Sequence, residues 1–243
     1  MFRWHWSSNY TFPERYDETG IDDRIIEFAK KGNKTSLDIL DVGCSNGIAA
    51  KCMKSRLKEK GLTVTITGID RSRKMEKEAR QNLDKFIPGN VLEIDAKPEF
   101  DMVICSKMVL FVGHKLRSEI ISKCARFLRD NGGLVTDANR YEVTTAIQDL
   151  KIWINDYKKV FPLIRKGPIK FFKGIRGIQI ERLKRKMFLI DGKERVEKYA
   201  NEIIEGYNRL SLFQKFNVMT ENLQHRASGF LNRKPVRKKK MWK

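Results

Sequence analysis

The segment Leu37–Met53 reads LDILDVGCSNGIAAKCM, an apolar run broken at Gly43 and Gly47 and resumed as an alanine-bearing stretch. Glycine lets backbone approach a ligand with no side chain in the way. Asp41 stands just before this turn, Asp70 closes the run TVTITGID, and Asp95 closes VLEID. A carboxylate carries two acceptor oxygens, a match for the vicinal hydroxyls of a ribose. Asp70 suits that role, Asp95 beside Ala96 suits an amino group of a base, and Asp41 sets negative charge near a cationic or amino-bearing group. A dinucleotide turn would show Gly-x-Gly-x-x-Gly, and a triphosphate loop would end in Gly-Lys-Ser/Thr. Neither pattern is present. The ligand these residues describe is a nucleoside joined to a positively charged amino-acid arm, without phosphates.

Residues so spaced need a scaffold that brings the ends of successive strands to one edge. Leu37–Val42, Thr63–Ile69, Val91–Ile94, Phe100–Cys105 and Gly133–Thr136 are short and apolar or β-branched, as expected of strands buried on both faces of a parallel sheet. Between them Gly47–Lys60, Ser72–Phe86 and Lys115–Arg129 repeat apolar residues every three or four positions, as crossover helices do. A shorter helix, Asp22–Lys31, precedes the first strand. Gly61, Pro88-Gly89 and Asn131-Gly132-Gly133 punctuate the helix ends. The expected fold is α/β, a doubly wound, mostly parallel sheet, with a basic insertion after the fifth strand and a final antiparallel strand pair at Leu212–Met219 and Gly229–Leu231.

In order and spacing, Leu40–Gly47, Gly68–Asp70, Ile94–Ala96, Phe100–Ser106 and Leu128–Val135 resemble the class I, Rossmann-like S-adenosylmethionine-dependent methyltransferases. The resemblance runs from about residue 35 to 140. It implies S-adenosylmethionine as cofactor, with Gly43 and Gly47 lining the methionine arm, Asp70 holding the ribose, and Asp95 with Ala96 meeting the adenine. Asp41, Cys44, Ser45, Arg71 and Ser106 complete the implied cofactor contacts. The family usually has glycine where this chain has Ser45.

The acceptor belongs at the carboxyl end of the fourth strand, which reads Cys105-Ser106-Lys107-Met108. This lacks the Asn/Asp/Ser-Pro-Pro-Tyr/Phe of amino-directed base methylation, and Cys105 lacks the preceding proline of cytosine C5 methylation. Cys105 reads instead as a buried strand residue. Ser106, Lys107 and His114 are the candidate catalytic groups: Lys107 to steer an anionic acceptor or face solvent, His114 as a base near neutrality or a surface residue. The four cysteines (Cys44, Cys52, Cys105, Cys124) show no paired metal spacing, and no metal is expected.

The net charge of +20 is uneven. Residues 1–150 hold 25 basic and 22 acidic side chains, and residues 151–243 hold 25 and 8. Such asymmetry points to a polyanion or an anionic surface. The sequence divides into an N-terminal segment and helix (1–34), a cofactor-binding core (35–140), a basic aromatic insertion or lid (141–192), completion of the sheet (193–232) and a basic tail (233–243). Three readings of partner follow: a small or lipid-linked methyl acceptor under the lid, which the sequence slightly favours; RNA held by residues 151–243; or a non-catalytic, cofactor-binding scaffold on an anionic membrane. No apolar run reaches membrane-spanning length. The expected location is cytoplasmic, with peripheral membrane attachment left open.

Overall fold

The computed structural model describes residues 15–106, 108–109, 112–137 and 187–210, together with Pro13, Lys158, Pro162, Arg165 and Lys215. In chain order the elements are α1 (Arg15–Thr19), α2 (Ile21–Lys31), β1 (Ser36–Val42), α3 (Ile48–Glu59), β2 (Thr63–Asp70), α4 (Glu76–Asn82), β3 (Lys85–Pro88), β4 (Phe100–Cys105), α5 (His114–Phe127), β5 (Leu128–Thr136), β6 (Phe188–Asp191) and α6 (Lys193–Arg209). The strands form one sheet in the order β3-β2-β1-β4-β5-β6. All neighbours are parallel except β5 and β6, which pair antiparallel.

The β1 residues explain why this sequence layers as it does. Successive strand side chains point to opposite faces. Ile39 therefore joins the core beneath α2 and α3, while Leu40 and Val42 join the core beneath α5 and α6. A strand covered on both faces reads as a continuous apolar run. The helices that cover it carry single apolar stripes: Ile21, Ile25, Phe28 and Ala29 of α2 are buried, as are Val196, Tyr199, Ala200 and Ile203 of α6. The Ser118 hydroxyl of α5 donates to the Ala200 carbonyl at 2.7 Å, fixing α6 against α5.

Because β1 leads to β2 on one side and β4 leads to β5 on the other, the chain reverses direction across the sheet between β1 and β4. Doubly wound sheets open a crevice at the carboxyl ends there. At the opposite, amino edge the charges are paired. Asp101 accepts from Lys34 Nζ at 2.6 Å, Arg129 Nη1 at 2.9 Å and the Asp38 amide at 2.9 Å. Burial alone would push the Asp101 carboxyl up, but these three donors outweigh it and hold it below its ordinary value.

The sequence misplaces the third strand. The expected helix Ser72–Phe86 is confined to Glu76–Asn82, and the strand is Lys85–Pro88, not Val91–Ile94. The Asp84 carboxylate accepts from the Ile66 amide at 2.8 Å and from Lys54 Nζ at 2.5 Å, which aligns the following residues beside β2. Pro88 ends this edge strand, where a missing N–H leaves no ladder bond unmade. Val91–Ile94 are apolar for another reason. Val91 is buried, Leu92 and Ile94 are half-buried, and all three fold over the α5 side of the sheet as a loop.

The antiparallel strand that completes the described sheet is Phe188–Asp191, inside the stretch assigned to the insertion. Lys31 of α2 binds its Asp191 carboxylate at 2.8 Å. The strand pair expected at 212–219 and 229–231 lies outside the described residues, Lys215 excepted, as do the tail and most of the insertion.

Candidate cofactor site

The turn after β1 is stitched to the end of β2. The Gly43 and Cys44 amides donate to the Ile69 carbonyl at 2.8 and 3.3 Å. Gly43, Ser45 and Gly47 take positive φ values of 79°, 57° and 73°. Gly43 requires glycine through its backbone angle, since a Cβ there would make only an ordinary 3.4 Å contact with Met108. Gly47 requires it twice over: a Cβ would also sit 2.8 Å from Leu83 Cγ. Packing against the α4–β3 connection thus accounts for the second glycine. Ser45 holds a left-handed conformation despite its side chain, at a typical cost of about 1–2 kcal/mol.

Asp70 ends β2, half-buried, beside this turn. Its Oδ2 accepts from the Ser45 amide at 2.9 Å and its Oδ1 from the Ser72 amide at 2.8 Å. Both oxygens are thereby oriented, and each retains a further lone pair for a hydroxyl donor. Asn46 locks the turn from below: its amide donates to Glu78 at 2.8 Å, and Asn82 donates to its carbonyl at 2.9 Å. Asp41 is buried at 1% exposure and accepts from the hydroxyl of Tyr16, itself 0% exposed, at 2.6 Å. The short helix α1 is thus fastened to the base of the turn. No spacing rule links Tyr16 to Asp41, so sequence reasoning passed over it.

The strand on which the adenine-side expectation rested lies elsewhere. Asp95 does not end a strand; it is exposed in the loop between β3 and β4, with Ala96 half-buried next to it. The residues just past the third strand are Asn90 and Val91. Pro88 pairs with Asp70, and the Gly89 amide donates to the Asp70 carbonyl at 3.0 Å, so Asn90 follows directly on that edge. Its Oδ1 accepts from the Leu92 amide at 3.3 Å and its Nδ2 donates to Glu93 at 2.9 Å. The signal missed was Pro88-Gly89, read as a helix end when it closes a strand.

On the acceptor side, Ser106 follows β4 and is buried, its carbonyl accepting from the Met108 amide at 2.7 Å. Lys107 lies outside the described residues. His114 begins α5, and its ring stacks on Tyr207 of α6 with centroids 3.5 Å apart. Burial lowers its pKa, and Lys115, Arg117 and Lys215 lower it further. Cys105 is fully buried, and its hydrogen bond with the Cys124 thiol, together with that burial, raises its pKa well above the ordinary thiol range. A thiol so placed is a strand residue and not a nucleophile. Arg71 is exposed, and Cys44 is buried with its Sγ toward the Ser45 carbonyl. All four cysteines are free, and among the described residues no group of side chains is arranged to hold a metal ion.

The glycine turn, the oriented carboxylate of Asp70 and Asn90 lie side by side along the carboxyl ends of β1, β2 and β3. Residues 39–132 match the family model described as Methyltransferase domain. This segment, less than half of the chain, is similar to methyltransferase domains. Solved structures similar to the chain include an S-adenosylmethionine-dependent methyltransferase from Clostridium acetobutylicum, 19% identical, covering 52% of this chain and 51% of that one, TM-score 0.42. An amino pentose methyltransferase from Micromonospora echinaspora, bound to S-adenosylmethionine, is 20% identical over 57% of each chain, TM-score 0.43. Magnesium protoporphyrin IX methyltransferase from Synechocystis is 19% identical over 54% of this chain and 64% of that one, TM-score 0.42. The chain thus spans between half and two thirds of the length of these structures. Among curated proteins no relative matches it.

Proposed function

We propose that this protein binds S-adenosylmethionine along the carboxyl edge of β1, β2 and β3 and transfers its methyl group to an acceptor entering over β4. The observation that carries this reading is the setting of Asp70, whose two oxygens are aimed by the Ser45 and Ser72 amides with lone pairs to spare. That is the acceptor set a ribose diol requires. Asn90 and Val91 replace Asp95 and Ala96 as the adenine-side residues, and Gly43 passes closest to the methionine arm. Asp41, fixed by Tyr16, supplies negative charge beneath the cationic end. When bound, the cofactor supplies a methyl group on a sulfonium, open to in-line displacement. The chain's own part is then to align an acceptor lone pair, with a base needed only if the attacking atom carries a proton. Ser106 and Lys107 remain the candidates next to that atom, while the stacking of His114 on Tyr207 assigns it to the α5–α6 junction.

For the acceptor, the sequence favours a small or lipid-linked molecule covered by residues 141–190. A second reading, RNA, is supported by one observation among the described residues: an unneutralised basic strip, Arg71, Arg73, Lys74 and Lys77, beside Asp70. Tritium transfer from labelled cofactor into a fractionated lysate separates the readings. Label in RNA supports the second, and label in lipid or small molecules supports the first. Label in no fraction, with cofactor binding intact, leaves only the scaffold role.

A further inference from the structure

Residues 71–80, directly after Asp70, read RSRKMEKEAR, with five basic side chains against two acidic ones. Arg71, Arg73, Lys74 and Lys77 are exposed, and none of the four forms an ion pair among the described residues. The nearby carboxylates are directed elsewhere: Glu76 to Arg80 at 2.8 Å, Glu78 to Asn46 at 2.8 Å, and Asp70 to the Ser45 and Ser72 amides. The amino edge differs, for there Lys34 and Arg129 are neutralised by Asp101 and Asp38. The unmatched positive charge therefore lies at the rim of the cofactor site.

Its shape narrows the partner. A single phosphate is held by donors converging in a hollow. These four side chains are strung along an exposed turn and the first turn of a helix, suited to successive charges on one polyanion. A membrane-binding face pairs its cations with exposed apolar side chains that enter the lipid. Among the described residues the exposed large hydrophobic is Leu116, on α5. We propose that residues 71–77 are a docking strip for the phosphodiester backbone of a single-stranded RNA acceptor, anchoring it on the adenosyl side of the pocket. The acceptor role rests on the methyltransferase reading above; the docking itself does not.

The test uses the full chain and a fluorescein-labelled, mixed-sequence single-stranded RNA of 20 nucleotides, titrated by anisotropy across a salt series. The variant is Arg73→Gln/Lys74→Gln/Lys77→Gln. Its control, Lys58→Gln/Lys60→Gln/Lys85→Gln, removes equal charge from exposed positions toward the amino edge. Each phosphate contact on a single strand contributes about 0.7 to the salt slope, so losing three lowers the slope by about 2 and weakens binding about 100-fold at 0.1 M salt. The control should change affinity less than threefold, since charges beyond about 10 Å are screened at that salt. Equal effects of the two triple variants, or none from the rim variant, overturn the proposal. So does loss of retention on vesicles containing phosphatidylserine with RNA binding unaltered, which would name a membrane as the partner. Calorimetry with S-adenosylmethionine runs alongside: silence in the unsubstituted protein would remove the methyltransferase reading and leave the RNA titration interpretable.

Discussion

Replacing Ser45 by glycine should stabilise this protein, although it removes a buried side chain. Ser45 sits at φ 57°, in the left-handed region, at 7% exposure. That conformation costs a non-glycine residue about 1–2 kcal/mol. Glycine avoids the cost but loses more backbone freedom on folding, about 0.5–1 kcal/mol. The difference leaves a gain of about 0.5–1 kcal/mol. For a chain of this length each kcal/mol moves Tm by about 2–4 °C, so the expected rise is about 1–4 °C. The assay is thermal unfolding by calorimetry, paired with a cofactor titration. Affinity should hold, because the contact from this residue to Asp70 is made by its backbone amide. A fall in Tm of 2 °C or more would refute the reasoning, since it would mean that residue 45 is not held in a left-handed conformation.

Tyr16→Phe removes only the hydroxyl that donates to buried Asp41. Hydrogen bonds to charged groups contribute about 1.5–3 kcal/mol, so Tm should drop by about 3–12 °C, and an unchanged Tm would detach α1 from the turn. Asn90→Ala should weaken S-adenosylmethionine binding by about tenfold in calorimetry while Asp95→Ala leaves it unaltered; the reverse pattern restores the original assignment. Asp101 has a folded pKa below its unfolded value, so its contribution is present at neutral pH and is lost as pH falls below about 4 through the folded value. Asp101→Asn should therefore lower the urea midpoint at pH 7 and flatten its decline toward pH 3; a parallel decline in both proteins counts against the ion cluster.

The parts of the fold that were legible in sequence are those with one dominant signal. The β1 run, the bare turn at Gly43 and the helix that ends at Lys31 each state their structure locally, and all lie where expected. The third strand did not, because two different causes produce the same apolar letters. Val91, Leu92 and Ile94 are apolar to cover a sheet face as a loop, while Lys85-Phe86-Ile87-Pro88 carries fewer apolar letters and is set beside β2 by Asp84. The expectation for Asp95 rested on that strand, and Asp95 lies instead in the loop between β3 and β4. Tyr16 was invisible because its partner lies 25 residues away with no periodic relation. The tertiary setting of Asp70 adds what its letter could not: two backbone amides that aim it.

The most direct measurement is a calorimetric titration of S-adenosylmethionine into the full chain and into Asp70→Ala. One site per chain, with affinity reduced more than tenfold by the substitution, is the predicted result. Absence of binding heat in the unsubstituted protein, or equal affinity in the two, would contradict the claim that the oriented carboxylate beside the glycine turn holds the ribose of the methyl donor.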